Sequence, residues 1–140
     1  MGLRDIKNNV SVMPSLVPAA RTAAASGTAV DTKGFDSAAF VLETGALTDG
    51  AFTFIPQESD TTTDGDFSEV AAGNLDGTLP TVSGNDSPPT GASAITVIGY
   101  KGIKRYLRVR ATVTGLASPA VGGVVGGSIL LGNSQQAPTP

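Results

Sequence analysis

The side chains of this sequence best suited to chemistry are basic, and they are concentrated in one segment. Of nine Lys and Arg residues in the 140-residue chain, five lie between Lys101 and Arg110. Ammonium and guanidinium groups bind phosphates and carboxylates. The segment therefore indicates a nucleic acid, an anionic membrane surface or an acidic protein partner, or else the solvated face of a strand. Because the chain carries a formal charge of −3, which repels DNA phosphates, we expect no direct contact with nucleic acid.

The rest of the composition removes most catalytic chemistry. The chain has no Cys and no His, so it lacks the groups for Ser-His-Asp or Cys-His catalysis and the usual zinc ligands. An enzyme would have to use carboxylates, Lys, Tyr or a metal held by oxygen alone. No apolar run approaches the roughly 20 residues that cross a bilayer. We expect a protein that is not an enzyme, binds no cofactor or metal, and has no membrane segment.

Two short motifs imitate ligand-binding loops. In the acidic segment, Asp60, Thr62 and Asp64 alternate as in a calcium loop. The twelfth position of that loop requires a bidentate glutamate, but here it is Ala71, so we interpret the segment as a solvated turn. The glycine-rich run 122–127 lacks the following helix of a nucleotide-binding loop. We interpret it as a strand that packs closely against a neighbouring sheet or subunit, with a slender strand in a tight core as the alternative.

Turn-forming residues dominate the chain and indicate its fold class. It has 18 Gly and 9 Pro, and no long window shows an apolar stripe at helical spacing. We predict an all-β, single-domain, two-sheet β-sandwich of jelly-roll type, with a domain and N-terminal arm over residues 1–132 and a flexible tail over 133–140. The predicted strands are 15–22, 27–32, 35–44, 51–59, 67–72, 94–100, 104–115 and 120–132.

Two connections between these strands carry further predictions. The turn signal at Thr48–Gly50 predicts a hairpin between strands 35–44 and 51–59. Residues 75–93 show no periodicity and form a long loop for a compact domain, so they are a candidate contact element.

The basic segment itself reads as a turn followed by a strand. One strand face comprises Leu107, Val109, Ala111 and Val113, and the other comprises Tyr106, Arg108, Arg110 and Thr112. Lys101 and Lys104 fall in the turn around Gly102, and Arg105 would lie on the apolar side, where it must leave the core or pair with a carboxylate.

Arg and Tyr are the residue types that dominate protein interfaces. The candidate partner-binding residues are therefore Tyr100, Lys101, Lys104, Tyr106, Arg108 and Arg110. A solvated strand face that binds nothing is the competing interpretation.

Two segments carry a resemblance to a known family. "AARTAAASGTAVDTKGFDSAAFVLETGALTDGAFTFIPQESD" and "VIGYKGIKRYLRVRATVTG" resemble capsid cement, or decoration, proteins, which are small proteins encoded beside the major capsid gene of tailed phages. The similarity runs from about Val17 to Gly132. It implies a jelly-roll homodimer that binds the outer surface of an HK97-type head and clamps neighbouring major capsid subunits against the pressure of packaged DNA. Such a protein is made in the host cytoplasm and located in the virion.

A secreted β-sandwich that binds carbohydrate or protein is the alternative. Sugar-binding sandwiches usually present aromatic platforms, whereas this chain has no Trp and two Tyr. The N-terminal apolar stretch is interrupted by Pro14 and Pro18, and Arg21 lies where a signal peptide would be cleaved. We therefore expect no exported form.

Overall fold

The computed structural model describes residues 6–134, which are 56% strand and 5% helix. The strands are β1 (Val10–Arg21), β2 (Ala25–Ser26), β3 (Val30–Asp31), β4 (Phe35–Leu47), β5 (Ala51–Ser59), β6 (Ser68–Glu69), β7 (Leu75–Asp76), β8 (Val82–Ser83), β9 (Ile95–Tyr100), β10 (Tyr106–Thr114) and β11 (Gly123–Ser134). Short 3-10 turns occur at Asp64–Asp66 and Ala72–Asn74. Within the described part of the chain, no helix has the length and apolar character needed to cross a membrane.

The strands form two antiparallel sheets that pack against each other. One has the order β1-β11-β4-β9-β7; the other follows β2-β10-β5-β6, with β3 also paired to β10 and β8 to β5. The pairs are nested along the chain: β1 with β11, β2 and β3 with β10, β4 with β9, and β5 with β6. Nested pairing wraps one long double strand around a core, which is the jelly-roll arrangement. The predicted two-sheet sandwich is confirmed.

Apolar side chains from both sheets form one core. Phe40 and Leu42 enter it from the five-stranded sheet, and Phe54 enters it from the other. In β10 the alternate positions Leu107 and Val109 are fully buried, as the period of two predicts. The alternation of apolar side chains along each central strand therefore determines which of its faces packs into the core.

The predicted hairpin at Thr48–Gly50 is wrong. β4 pairs with β9 and β11, whereas β5 pairs with β10, so the turn carries the chain from one sheet to the other. Gly50 has φ +88, a conformation that glycine adopts at little cost. Because both strands carry bulky apolar residues on one face, they bury more surface on opposite sides of the core than edge to edge.

The predicted loop 75–93 is partly regular. It contains β7, β8 and an isolated bridge between Ser83 and Thr90, and Val82 is buried in the core. Two residues assigned to the predicted tail are in a strand instead, because Asn133 and Ser134 belong to β11 and Ser134 pairs with Phe35. The remainder of that tail, 135–140, lies outside the described residues, as does the start of the predicted N-terminal arm, 1–5.

Two glycines of β11 lie where neighbouring strands approach closely, as the sequence predicts. A Cβ added at Gly126 would lie 2.7 Å from Pro18 in β1, and one at Gly127 would lie 2.8 Å from Val109 in β10. Real Cβ atoms are not found at such distances. These glycines therefore allow β11 to pack closely against Pro18 in its own sheet and against Val109 in the opposite sheet.

The strand registers define two ends of the sandwich. At one end lie the start of β1 and the end of β11, together with the connections 32–34, 60–67 and 101–105. At the other end lie the connections 48–50, 84–94 and 115–122. The residues 101–105, which we call the Ile103 turn, carry the chain from β9 in one sheet to β10 in the other.

Candidate functional site

Arg108 is buried, contrary to the exposed ladder that the strand pattern predicts. Its side chain is 9% exposed. The guanidinium donates from Nε to Gln57 Oε1 at 2.7 Å and from Nη1 to Asp64 Oδ1 at 2.5 Å. It also lies 4.1 Å from the centroid of the Phe67 ring. The connection 60–67 therefore folds over the outer face of β10 and covers this residue.

Two further basic residues at this end are held by carboxylates of other strands and loops. Lys104 Nζ lies 2.7 Å from Asp60 Oδ2, and that bond raises the pKa of Lys104. Arg105 donates to both carboxylate oxygens of Asp31, at 2.9 and 2.8 Å. Those bonds lower the pKa of Asp31 to about 2. The prediction that Arg105 leaves the core or pairs with a carboxylate is confirmed.

Tyr100 fixes the start of the Ile103 turn. Its hydroxyl donates to Glu58 Oε2 at 2.7 Å and accepts from the backbone N of Lys104 at 3.0 Å. Its ring meets Phe40 edge to face, with centroids 5.9 Å apart. Burial, together with the negative charge of Glu58, raises the pKa of Tyr100. Tyr100 is therefore part of the framework of the turn and not a free surface aromatic.

The other three predicted contact residues differ in accessibility. Lys101 is exposed, and its backbone N donates to Asn74 O at 2.7 Å. Tyr106 is half-buried, with the Arg105 guanidinium 5.1 Å from its ring centroid. Arg110 is also half-buried and donates to Ser26 Oγ at 2.7 Å.

Most of the clustered basic side chains are paired with carboxylates of the same molecule. Three ion pairs join the basic segment to carboxylates at positions 31, 60 and 64 in the described residues. The acidic segment that imitates a calcium loop supplies two of these carboxylates. An acidic chain can therefore concentrate its basic residues because its own acidic residues fold against them.

Two uncovered apolar surfaces were missed in the sequence. Ile103, at the tip of the turn, is 96% exposed. On the outer face of the five-stranded sheet, Ile95 and Val97 of β9 are 68% and 56% exposed, and Val12 of β1 is 58% exposed. The segment 94–100 held a usable signal, because apolar residues occupy both alternating sets of positions. That pattern indicates a strand covered on both faces.

The outer sheet face is continuous across four strands. Its register aligns Val12 with Leu130, Leu130 with Ala39, and Val41 with Val97. Between them, Ser128 pairs with Val41, whereas Gly126, which pairs with Glu43, is buried against Pro18. We call this surface the outer sheet face. It is broad and mostly apolar, and among the aligned positions named here the charged residue is Glu43.

The described residues show no cluster suited to metal chemistry. Within 6–134, no group of three or more acidic, His or Cys side chains could hold a metal ion.

No family model matches the chain, and comparison with curated proteins and with solved structures gives no match.

Proposed function

We propose that this chain is a structural virion protein that binds the outside of a tailed-phage head and clamps neighbouring major capsid subunits. The observation that carries the proposal is the outer sheet face, an uncovered apolar surface on a rigid jelly-roll sandwich. Monomeric proteins rarely expose broad apolar patches, and those that occur mark interaction sites. The resemblance of the sequence to capsid cement proteins supports the same function.

The outer sheet face is the surface by which two copies associate in this proposal. A flat sheet with small and β-branched side chains can pack against an identical sheet about 10 Å away. Such a contact is isologous, so one patch serves both partners. Because Ile95 and Val97 are exposed on β9, at one side of this face, they would be buried by the second copy.

A dimer explains how a small inert protein can strengthen a shell. Each copy grips one capsid subunit, so separating two subunits requires the loss of two contacts or of the dimer itself. After the first copy binds, the second binds at high effective concentration, which commonly raises overall affinity about 10²- to 10⁴-fold. The clamp therefore resists outward pressure without strong single contacts.

Deletion of the gene from its phage tests the proposal. Heads that lack the protein should release DNA at a lower temperature than wild-type heads. Mass spectrometry of purified wild-type particles should find the chain at a fixed ratio to the shell protein. Equal heat resistance of the two kinds of head, or absence of the chain from particles, would contradict the proposed function.

Complementation with Ile95→Asp separates binding from clamping in the same experiment. A charge on the outer sheet face should convert the dimer to a monomer in light scattering, because it would be buried without a partner. Heads that carry this variant should retain some protein but gain little heat resistance. Full heat resistance with a monomeric variant would exclude the dimeric clamp.

A further inference from the structure

We propose that Ile103 is the residue by which each copy holds the shell, inserting into an apolar pocket that has an acidic group at its rim. This inference rests on the proposed function and names the contact that it requires. Ile103 is 96% exposed, the most exposed of the large apolar side chains in the described residues. Burying an isoleucine in a partner pocket removes most of its surface from water, which strengthens binding roughly 10- to 100-fold.

The backbone beneath Ile103 is held in one shape by a close packing contact. A Cβ added at Gly102 would lie 2.5 Å from Cζ of Tyr100, so the Tyr100 ring packs directly against the backbone of the turn. The same ring donates its hydroxyl hydrogen to Glu58 and accepts from the backbone N of Lys104. Tyr100 therefore supports the turn on both sides of Ile103.

Other contacts tie the turn to neighbouring elements. At its start, the backbone N of Lys101 donates to Asn74 O. At its end, Arg105 O accepts from both the backbone N and Oγ1 of Thr32, at 2.9 and 2.7 Å. The Lys104 side chain pairs with Asp60. A turn fixed in this way loses little conformational freedom on binding, which favours an interaction anchor over a mobile loop tip.

The charge around Ile103 indicates the chemistry of the partner. The turn has three basic residues and no acidic one. Asp60 and Asp31 already pair with two of them, at Lys104 and Arg105. Lys101 is exposed beside Ile103. Asp36 lines the cavity next to Ile103, so the acidic group of the partner would face Lys101 and not this cavity. A pocket with an aliphatic floor and a carboxylate facing Lys101 would complement this surface.

The test measures binding of the purified protein to heads prepared from phage that lacks its gene. Ile103→Ala should weaken co-sedimentation with heads by roughly 10-fold or more, and Ile103→Asp should weaken it further, because a carboxylate would enter an apolar pocket with an acidic rim. Both variants should keep the melting temperature and the dimeric state of the parent protein, because the side chain of Ile103 is almost fully exposed and contributes little to packing in the free protein.

Val121→Ala is the matched control. Val121 is also exposed and apolar, but it lies at the opposite end of the sandwich, and its truncation should leave head binding unchanged. Binding of the parent protein with undiminished binding of both Ile103 variants would overturn the inference alone. Failure of the parent protein to bind heads would overturn the proposed function and, with it, this inference.

Discussion

Arg108 shows how a long-range contact changes the role of a residue that local pattern places on a surface. Period-two alternation correctly sets its side chain opposite Leu107 and Val109, on the outer face of β10. The pattern cannot show that residues 60–67 fold over that face. The buried guanidinium of Arg108, 9% exposed, is paired with the carboxylate of Asp64, which is 85% exposed to water. We therefore assign Arg108 a role in holding residues 60–67 against β10.

Charge reversal at two neighbouring arginines tests that assignment. Arg108→Glu should lower the free energy of unfolding by about 2 kcal/mol, because it removes the bonds to Gln57 and Asp64 and places a carboxylate beside another. Arg110→Glu, on the same face but half-buried, should change it by less than about 1 kcal/mol. Urea denaturation of both variants measures the difference, and equal stabilities would contradict the buried role of Arg108.

Two aspartates make the stability of the protein sensitive to acid. The bonds from Arg105 lower the pKa of Asp31 to about 2, from an ordinary value of 3.8. Backbone N–H groups, first that of Ala117 and then those of Gly122 and Val121, lower the pKa of Asp49. A pKa that is lower in the folded than in the unfolded state stabilises the protein above the unfolded value. That stability is lost as pH falls toward the folded value.

The melting temperature should therefore fall as the pH is lowered from about 4 to about 2. It should change little between about pH 5 and 8, since the chain has no His to titrate there. Asp31→Asn should reduce the fall in melting temperature at low pH, because asparagine has no carboxylate whose protonation is coupled to unfolding. Calorimetry over this range checks both points, and an unchanged pH profile in Asp31→Asn would show that the Arg105 contact contributes nothing.

At the scale of elements, a glycine in β11 is required by close packing against the opposite sheet. Gly127→Ala should destabilise the protein by about 1–3 kcal/mol, because its Cβ would overlap Val109 in the opposite sheet. Gly132→Ala, in the same strand, is the control, since its Cβ would be 3.9 Å from Ser37, the nearest side chain. It should change stability by less than about 0.5 kcal/mol. Equal melting temperatures for the two variants would contradict the packing role of Gly127.

The elements also show why strand identity is easier to predict than strand pairing. Alternation in β10 and turn residues between strands are local signals, and they predict the sandwich class. The residues Thr48–Gly50 predict a chain reversal, and a reversal is required both in a hairpin and in a connection between two sheets. The turn residues alone therefore do not distinguish the two arrangements. Whether β5 pairs with β4 or with β10 depends on how both sheets share one core, which is a property of distant segments.

At the scale of the whole molecule, the sequence predicts the candidate region but not the exposure of Ile103 within it. Five basic residues and two tyrosines draw attention to 100–110, and much of that chemistry is used internally. A single isoleucine in a turn has no periodicity, so no pattern rule identifies Ile103. Its exposure becomes visible only when Tyr100 and Thr32 are seen to hold the turn away from the core.

The pairing of the first and last strands has a practical consequence for engineering. Because Val10 is paired with Gly132, both boundaries of the described chain lie at the same end as Ile103. Under the proposed function, a fluorescent protein fused there would crowd the surface around Ile103 and weaken binding to the head. Under the same proposal, foreign epitopes belong in the exposed residues 85–90, which lie at the end of the sandwich opposite Ile103.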